Sequence, residues 1–285
     1  MKSEEKKMDM DFETYFCEQY EKIKKSFENG EGEYLFDGDD KIPEKKRISE
    51  RGKKSYNTSI HTYLLPQPFI GDIENAKIII CSLNPGYSDE DCYIEDEKLA
   101  KEKGYKYYSE ELLNQLNPKA KNKTLFWLTE EKSDEVKNLS GGAKWWQGKL
   151  DQNDPSVSLV ERIATEFGVK KEEVFKWLSE NMAAIELFPY HSKKFSKSLL
   201  NKCDSSEMIK TYVHNDLIEK AKQGERLVCF TRSLKDWGVE ECKHENIILN
   251  SSVQNITFNV ELDFGKSILN YIRDNSDKFK TPLKK

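Results

Sequence analysis

The sequence predicts an α/β protein: a three-layer αβα arrangement around a central, mainly parallel, four-stranded sheet. Four short runs, Lys77–Leu83, Ala183–Phe188, Arg226–Thr231 and Asn246–Leu249, are almost continuously apolar. That is the pattern of strands buried on both faces. Helical spacing fills the intervals at 109–116, 156–167, 171–181 and 205–222. Strands alternating with helices pack as helices on both faces of one sheet.

Taken in order, residues 11–27 repeat Phe12, Tyr15, Phe16, Tyr20, Ile23 and Phe27 at helical spacing, followed by a turn-rich stretch, Asn29 to Asp40. Residues 41–58 are basic and weakly patterned and read as a surface loop, with the ordered core expected from about Tyr63. Residues 1–60 are therefore read as an extension, 61–275 as the α/β domain and 276–285 as a basic tail. The first two strands are separated by an insertion at about 88–150, more chain than the crossover needs. Asp204 or Ser205 suits the N-cap of the helix that follows. Residues 261–273 form a last amphipathic helix.

The 285 residues suffice for one large domain or two small ones. Charged residues make up 34%, and no apolar stretch nears the roughly 20 residues that span a bilayer. The opening segment Met1 to Met10 is charged, unlike a secretory leader. A cytoplasmic protein without membrane contact, and a monomer, is expected. The six cysteines, Cys17, Cys81, Cys92, Cys203, Cys229 and Cys242, form no C-x-x-C pair, and Cys81 and Cys229 lie in strand-like runs. Reduced, packed thiols are the expectation, with no metal or cofactor. A net charge of −5 argues against a protein that coats nucleic acid. A local basic face would still hold phosphates, and two basic stretches, Lys45 to Lys54 and Lys193 to Lys202, could provide one.

Ligand sites in open α/β sheets lie beyond the carboxyl ends of the strands. The first strand runs into Ser82-Leu83-Asn84-Pro85-Gly86-Tyr87, where Pro85 and Gly86 make a tight turn and Asn84 sits at the mouth of the sheet. The second ends in Glu186, a charge within an apolar run, followed by Pro189-Tyr190-His191-Ser192. Burial of Glu186 calls for a partner. The fourth ends in Asn250-Ser251-Ser252-Val253-Gln254-Asn255. Taken singly, each of these is the kind of feature an ordinary turn, ion pair or loop also supplies.

The segment Pro66-Gln67-Pro68-Phe69-Ile70-Gly71-Asp72, then a strand, then Leu83-Asn84-Pro85-Gly86, resembles the first motif of the uracil-DNA glycosylase superfamily. It is nearest the mismatch-specific branch, whose motif is Gly-x-Asn-Pro-Gly. The resemblance spans roughly residues 66 to 260. It implies a DNA glycosylase that flips a base from the stack and hydrolyses its N-glycosidic bond without metal or cofactor. Asn84 then positions the attacking water. Asn250, Ser251 and Ser252 stand where the second motif enters the minor groove, with Gln254 beside them on the DNA. Pro85, Gly86 and Tyr87 would line the base pocket, and Trp145 or Trp146 in the insertion would stack on the flipped base. His191 would donate to a phosphate or to the leaving base, and Lys193, Lys194 and Lys197 would hold phosphates.

Three positions depart from the pattern. Ser82 replaces the first Gly of the first motif, and Ser251 replaces the Pro of the second. Glu186 stands where uracil-specific members carry an Asn that reads the base. An ionised Glu only accepts hydrogen bonds, so the expected base is an amino-bearing or modified pyrimidine. The competing expectation is a glycosylase fold without catalysis that binds nucleic acid, a nucleotide or a protein. A defence or repair factor directed at modified phage bases is a third reading.

Overall fold

The structure is a computed structural model and describes residues 10–50, 56–87, 108–125, 141–250 and 256–278. Helix α1, Phe12–Glu28, is opened by Asp11, whose carboxylate accepts from the Thr14 N–H at 2.9 Å. Two short strands, β1 (Arg47–Ile48) and β2 (Ile60–His61), form a parallel ladder apart from the main sheet. Strand β3 (Phe69–Ile70) and strand β4 (Ile78–Ser82) precede helix α2 (Tyr108–Leu116) and helix α3 (Gly141–Leu150). Helix α4 (Leu159–Phe167) is capped by Ser158 at its start and ends at Gly168 in the left-handed region. Helix α5 (Lys171–Asn181) leads into β5 (Met182–Glu186).

Helix α6 begins as Asp204–Tyr212, widens into a π turn at Val213–Leu217 and closes with Ile218–Lys222. It is followed by β6 (Leu227–Phe230), the single turn α7 (Leu234–Trp237), β7 (Ile247–Leu249) and helix α8 (Asp263–Asp274). The main sheet is mixed and mainly parallel, in the order β3-β5-β4-β6-β7. All four strands expected from the apolar runs are present and parallel to their neighbours among themselves.

The sheet has five strands, which corrects the expected four. Strand β3 adds to the edge antiparallel to β5, pairing Phe69 with Ile185 and Ile70 with Ala184. It is two residues long and follows Pro66 and Pro68, and a proline cannot donate to a ladder. So short a segment carries no alternation to read.

Alternation along the strands divides the interior into two layers. Ile79, Cys81, Ala183, Ile185, Val228 and Phe230 meet α1, α2, α6 and Trp237 on the first face. Ile78, Ile80, Met182, Ala184, Leu227 and Cys229 meet α3, α4, α5 and α8 on the second. The core does not begin near Tyr63. Phe16, Phe36, Ile42 and Ile60 are buried in the same cluster as Ile79 and Phe230. Fully burying each such side chain is worth roughly 1.5–3 kcal/mol, so the N-terminal segment is a structural part of the first layer.

Among the four parallel strands the spatial order is second, first, third, fourth. The connection from β4 to β5 and that from β5 to β6 therefore run in opposite directions across the sheet. The reversal falls beside β4, where such sheets open a crevice at their carboxyl ends. Among the described residues no helix is long and apolar enough to cross a membrane.

Candidate ligand site at the carboxyl end of the sheet

The register of the four parallel strands assembles a row of polar side chains at this end. Ser82 is paired with Glu186 across β4 and β5. Thr231, one residue past β6, donates from both its N–H and its Oγ1 to the Cys81 carbonyl at 3.0 Å. Asn250, one residue past β7, donates from its backbone to Phe230 and from Nδ2 to the Thr231 carbonyl at 3.1 Å. Alternation puts Ser82 above Ile80, Glu186 above Ala184, Thr231 above Cys229 and Asn250 above Ile248, all on the second face. The apolar layer thus ends in a rung of four polar residues.

The loop after β4 is held from the other side. Leu187 and Phe188 donate to the carbonyls of Ser82 and Leu83, which fixes the exit of β4 against the exit of β5. Asn84 is 8% exposed, and its Nδ2 donates to the Ser192 carbonyl at 3.3 Å and to Ser192 Oγ at 3.2 Å. A backbone carbonyl only accepts, so the amide nitrogen must face Ser192. The Oδ1 oxygen is left as an acceptor with no hydrogen bond among the described residues. Gly86 takes a positive φ of 72°, which turns its carbonyl toward the next loop. His191 Nδ1 lies 3.0 Å from that carbonyl and therefore carries the hydrogen.

Tyr87 closes this corner. Its ring stacks on His61 with centroids 3.7 Å apart and planes 10° from parallel. Its hydroxyl is 3.3 Å from that of Tyr63, and Lys193 Nζ is 5.4 Å from its ring centroid. The His61 N–H donates to the His191 carbonyl at 2.9 Å, and the Lys194 N–H to Asn57 at 2.7 Å. Three separate segments, around 57–63, 84–87 and 191–194, are thereby joined beside Asn84.

Glu186 is the electrostatic outlier. Its Oε2 is sealed from solvent and has no hydrogen-bond partner among the described residues. Burial pushes its carboxyl up to about 8, opposed by the positive charge of Arg232. Among the described residues no cation forms an ion pair with it, and Arg232, exposed on the loop after β6, acts only through its charge. At neutral pH the group is mainly a carboxylic acid.

Asn84, Pro85, Gly86, Tyr87, His191, Lys193 and Asn250 all lie at this end of the sheet, together with Glu186. Trp146 does not fit the stacking role: it is 6% exposed and packs on Phe258 within the second layer. Trp145 is 39% exposed, edge-on to Trp146, with Lys149 Nζ 5.7 Å from its ring centroid. Lys193 and Lys194 are exposed, whereas Lys197 is engaged by Asp236 at 2.6 Å. Lys197 itself remains 66% exposed, so the pair is a surface one. Ser251, Ser252 and Gln254 lie outside the described residues.

Sequence reasoning missed Ser192, His61, Tyr63 and Thr231. Thr231 was legible only as a strand residue, and Ser192 only as a loop serine beside His191. Their roles arise from pairings that no local pattern encodes. Comparison with protein-family models, with curated proteins and with solved structures gave no match.

Proposed function

We propose that this protein is a monofunctional DNA glycosylase that hydrolyses the N-glycosidic bond of a flipped pyrimidine and leaves an abasic site. The observation that carries the reading is Asn84. It stands after the first parallel strand, beside the topological reversal, with its amide committed to Ser192 and its carbonyl oxygen uncommitted. An amide is too weak a base to ionise water, but its oxygen can orient one. That suffices where bond cleavage has already made the sugar oxocarbenium-like, because the electrophile then demands little of its nucleophile.

The departing base takes on negative charge and needs donors aimed at it. On this reading the rung of Ser82, Glu186, Thr231 and Asn250 faces the base. Tyr87, fixed by His61, walls the pocket, and Lys193 and Lys194 meet the phosphates beside it. His191 then holds the Asn84 turn in shape through Gly86. Asn250 serves the same loop architecture through Thr231. Trp145 is the remaining stacking candidate in the insertion.

A non-catalytic nucleic-acid module is the second reading. The net charge of −5 favours it, since it weakens a phosphate track. Strand scission separates the two. Labelled oligonucleotides carrying uracil, mismatched thymine or modified cytosines, single- and double-stranded, are incubated with the protein and then treated with hot alkali. Cleavage at one base that disappears in Asn84→Ala is the result expected. Binding without cleavage across that panel would transfer the assignment to the module.

A further inference from the structure

We infer that Asp39 is a positioning residue for Asn84: its carboxylate holds the Tyr190 hydroxyl, and with it the loop that fixes the Asn84 amide, and taking up a proton loosens that hold. The coupling needs no assigned activity. Its consequence for base release rests on the glycosylase reading given above.

The loop of residues 189–194 is neither helix nor strand, so its shape comes from the bonds it makes to other segments. Asn84 Nδ2 donates to Ser192 at its centre. Around that point the Gln67 N–H donates to the Pro189 carbonyl at 2.8 Å, the His61 N–H to the His191 carbonyl at 2.9 Å, and the Lys194 N–H to the Asn57 carbonyl at 2.7 Å. Tyr190, two residues before Ser192, is fully buried, with its ring against Phe36 and Phe188. Its hydroxyl donates to Asp39 Oδ2 at 2.6 Å and accepts from the Phe36 N–H at 3.0 Å. The chain ahead of β3 thus grips the loop from end to end.

The Asp39 end of this linkage is the fixed one. Ser205 donates to the same carboxylate from Oγ at 2.5 Å and from its N–H at 3.1 Å, which ties Asp39 to the first turn of α6. Gly38, at a φ of 86°, sits so close to Asp204 that a Cβ there would collide with its carboxylate. Lys41 pairs with Asp204 at 2.8 Å. A change at the carboxyl is therefore passed to Tyr190 rather than absorbed by the turn.

Counting hydrogens shows what a proton does. The carboxylate accepts three, and each hydroxyl partner has a single hydrogen to give. An added proton has to point at a neighbouring oxygen. Directed at Tyr190 Oη or Ser205 Oγ, it displaces that hydroxyl's own hydrogen, which then needs another acceptor inside a buried layer. The arrangement is complete only around the charged form. The ionisable groups facing Asp39 are Tyr15 of α1, Asp37 and Lys41 of its own turn, Cys203 and Asp204 at the start of α6, and Tyr190. Burial pushes Tyr15, Cys203 and Tyr190 up, so these stay neutral. Lys22 pairs with Asp37 as Lys41 does with Asp204. For Asp39 itself burial outweighs the opposing hydrogen bonds and leaves the carboxyl at about 6, so it changes state within about one unit of that value.

The test reads the Asn84 side-chain amide by nuclear magnetic resonance, in intact protein carrying isotope-labelled asparagine, from about pH 5 to about pH 8. Loss of the resonance in Asn84→Ala assigns it. The wild type should show a one-proton shift with its midpoint near 6. The shift should vanish in Asp39→Asn, which imitates the protonated acid, and in Tyr190→Phe, which cuts the link. Ser205→Ala removes a bond that favours the charged form, so its midpoint should lie higher, and it serves should Asp39→Asn fail to fold. A flat profile in the wild type, the same midpoint in Asp39→Asn or Tyr190→Phe, or no rise in Ser205→Ala overturns the inference.

Single-turnover base release, with protein in excess so that binding does not limit, should fall to about a tenth between about pH 7.5 and about pH 5, as a group with that midpoint becomes about nine-tenths protonated. In Asp39→Asn it should be slow at both values, because a displaced catalytic group loses rate. Full-rate release by the wild type at about pH 5 overturns the positioning role. No release across the scission panel removes the glycosylase reading instead, and the amide resonance then decides the coupling by itself.

Discussion

Asn84 directs its amide nitrogen onto Ser192, 3.3 Å from the carbonyl and 3.2 Å from Oγ, so one loop sets the rotamer of the residue at the head of the other. Ser192→Ala removes one of these bonds and leaves the backbone one. A neutral hydrogen bond contributes about 0.5–1.5 kcal/mol, so single-turnover base release should slow by up to about tenfold. Asn84→Asp is expected to be worse than Ser192→Ala. Its carboxylate has no hydrogen to offer the Ser192 carbonyl and would rotate away or repel it. Equal rates for Ser192→Ala and wild type would show that the bond does not position Asn84.

The buried acid at the end of β5 makes a prediction that is independent of function. Its folded-state carboxyl is pushed from the ordinary 4.5 to about 8 by burial. Between those values the folded protein holds a proton that the unfolded chain has released, so stability falls as pH rises through the window and levels off above it. Glu186→Gln removes the ionisation without removing the polar group. Its melting temperature should match the wild type at about pH 5 and exceed it by at least ~2 °C at about pH 9, since 1 kcal/mol moves a chain of this size by a few degrees. A constant difference across that range would mean the carboxyl ionises with no more difficulty than in the unfolded chain.

What the sequence disclosed divides by range of interaction. The run Lys77–Leu83 became β4 with one residue trimmed at each end, because an apolar stretch of that length has few other uses. The Asn84 turn was legible too, since Pro85 and Gly86 are local signals. The rung was not: Thr231 joins Ser82 and Asn250 only through register, which depends on strands far apart in sequence. The N-cap expected from Asp204 or Ser205 failed for the same reason. The Ser205 N–H is taken by Asp39, 166 residues earlier. One of three Asp residues in a turn-rich stretch, Asp39 gives no sign in the sequence that it will cap a helix in another part of the chain.

Asp39 therefore carries more than its sequence context suggests. It is fully buried and accepts from Tyr190 Oη at 2.6 Å, from Ser205 Oγ at 2.5 Å and from the Ser205 N–H at 3.1 Å. Tyr190 Oη in turn accepts from the Phe36 N–H at 3.0 Å. Burial raises the Asp39 carboxyl, the Ser205 and Tyr190 hydrogen bonds oppose it, and the balance stands at about 6. Tyr190→Phe removes one of the donors to Asp39 Oδ2, which keeps Ser205 Oγ, and leaves the buried Phe36 N–H unpaired, which costs about 1–3 kcal/mol. The lost bond served the ionised form best. The destabilisation should therefore be larger at about pH 7.5 than at about pH 4.5, read as the shift in urea midpoint. The same midpoint shift at both values would show that Asp39 does not change its protonation state between them.

Two glycines separate backbone strain from steric room. Both Gly71 and Gly86 have positive φ, at 86° and 72°. A Cβ on Gly71 would lie 2.8 Å from the Met182 carbonyl oxygen and 3.1 Å from the Ala183 Cα, against backbone that β5 holds in place. A Cβ on Gly86 would meet nothing within 4 Å. Left-handed backbone alone costs a side chain about 1–2 kcal/mol, and Gly86→Ala should lose about that much while still folding. Gly71→Ala adds a collision at the seam between β3 and β5, and disturbs the bond from the Gly71 N–H to Gln115 Oε1 at 2.8 Å. It should therefore cost clearly more than Gly86→Ala in the same urea titration, and reduce soluble yield. Gly86→Ala has a second expected signature, because the Gly86 carbonyl orients His191. Base release per folded molecule should fall in that variant, whereas Gly71→Ala should lose activity only in proportion to folded protein. If the two variants prove equally stable, the edge strand yields more easily than its contact with Met182 implies.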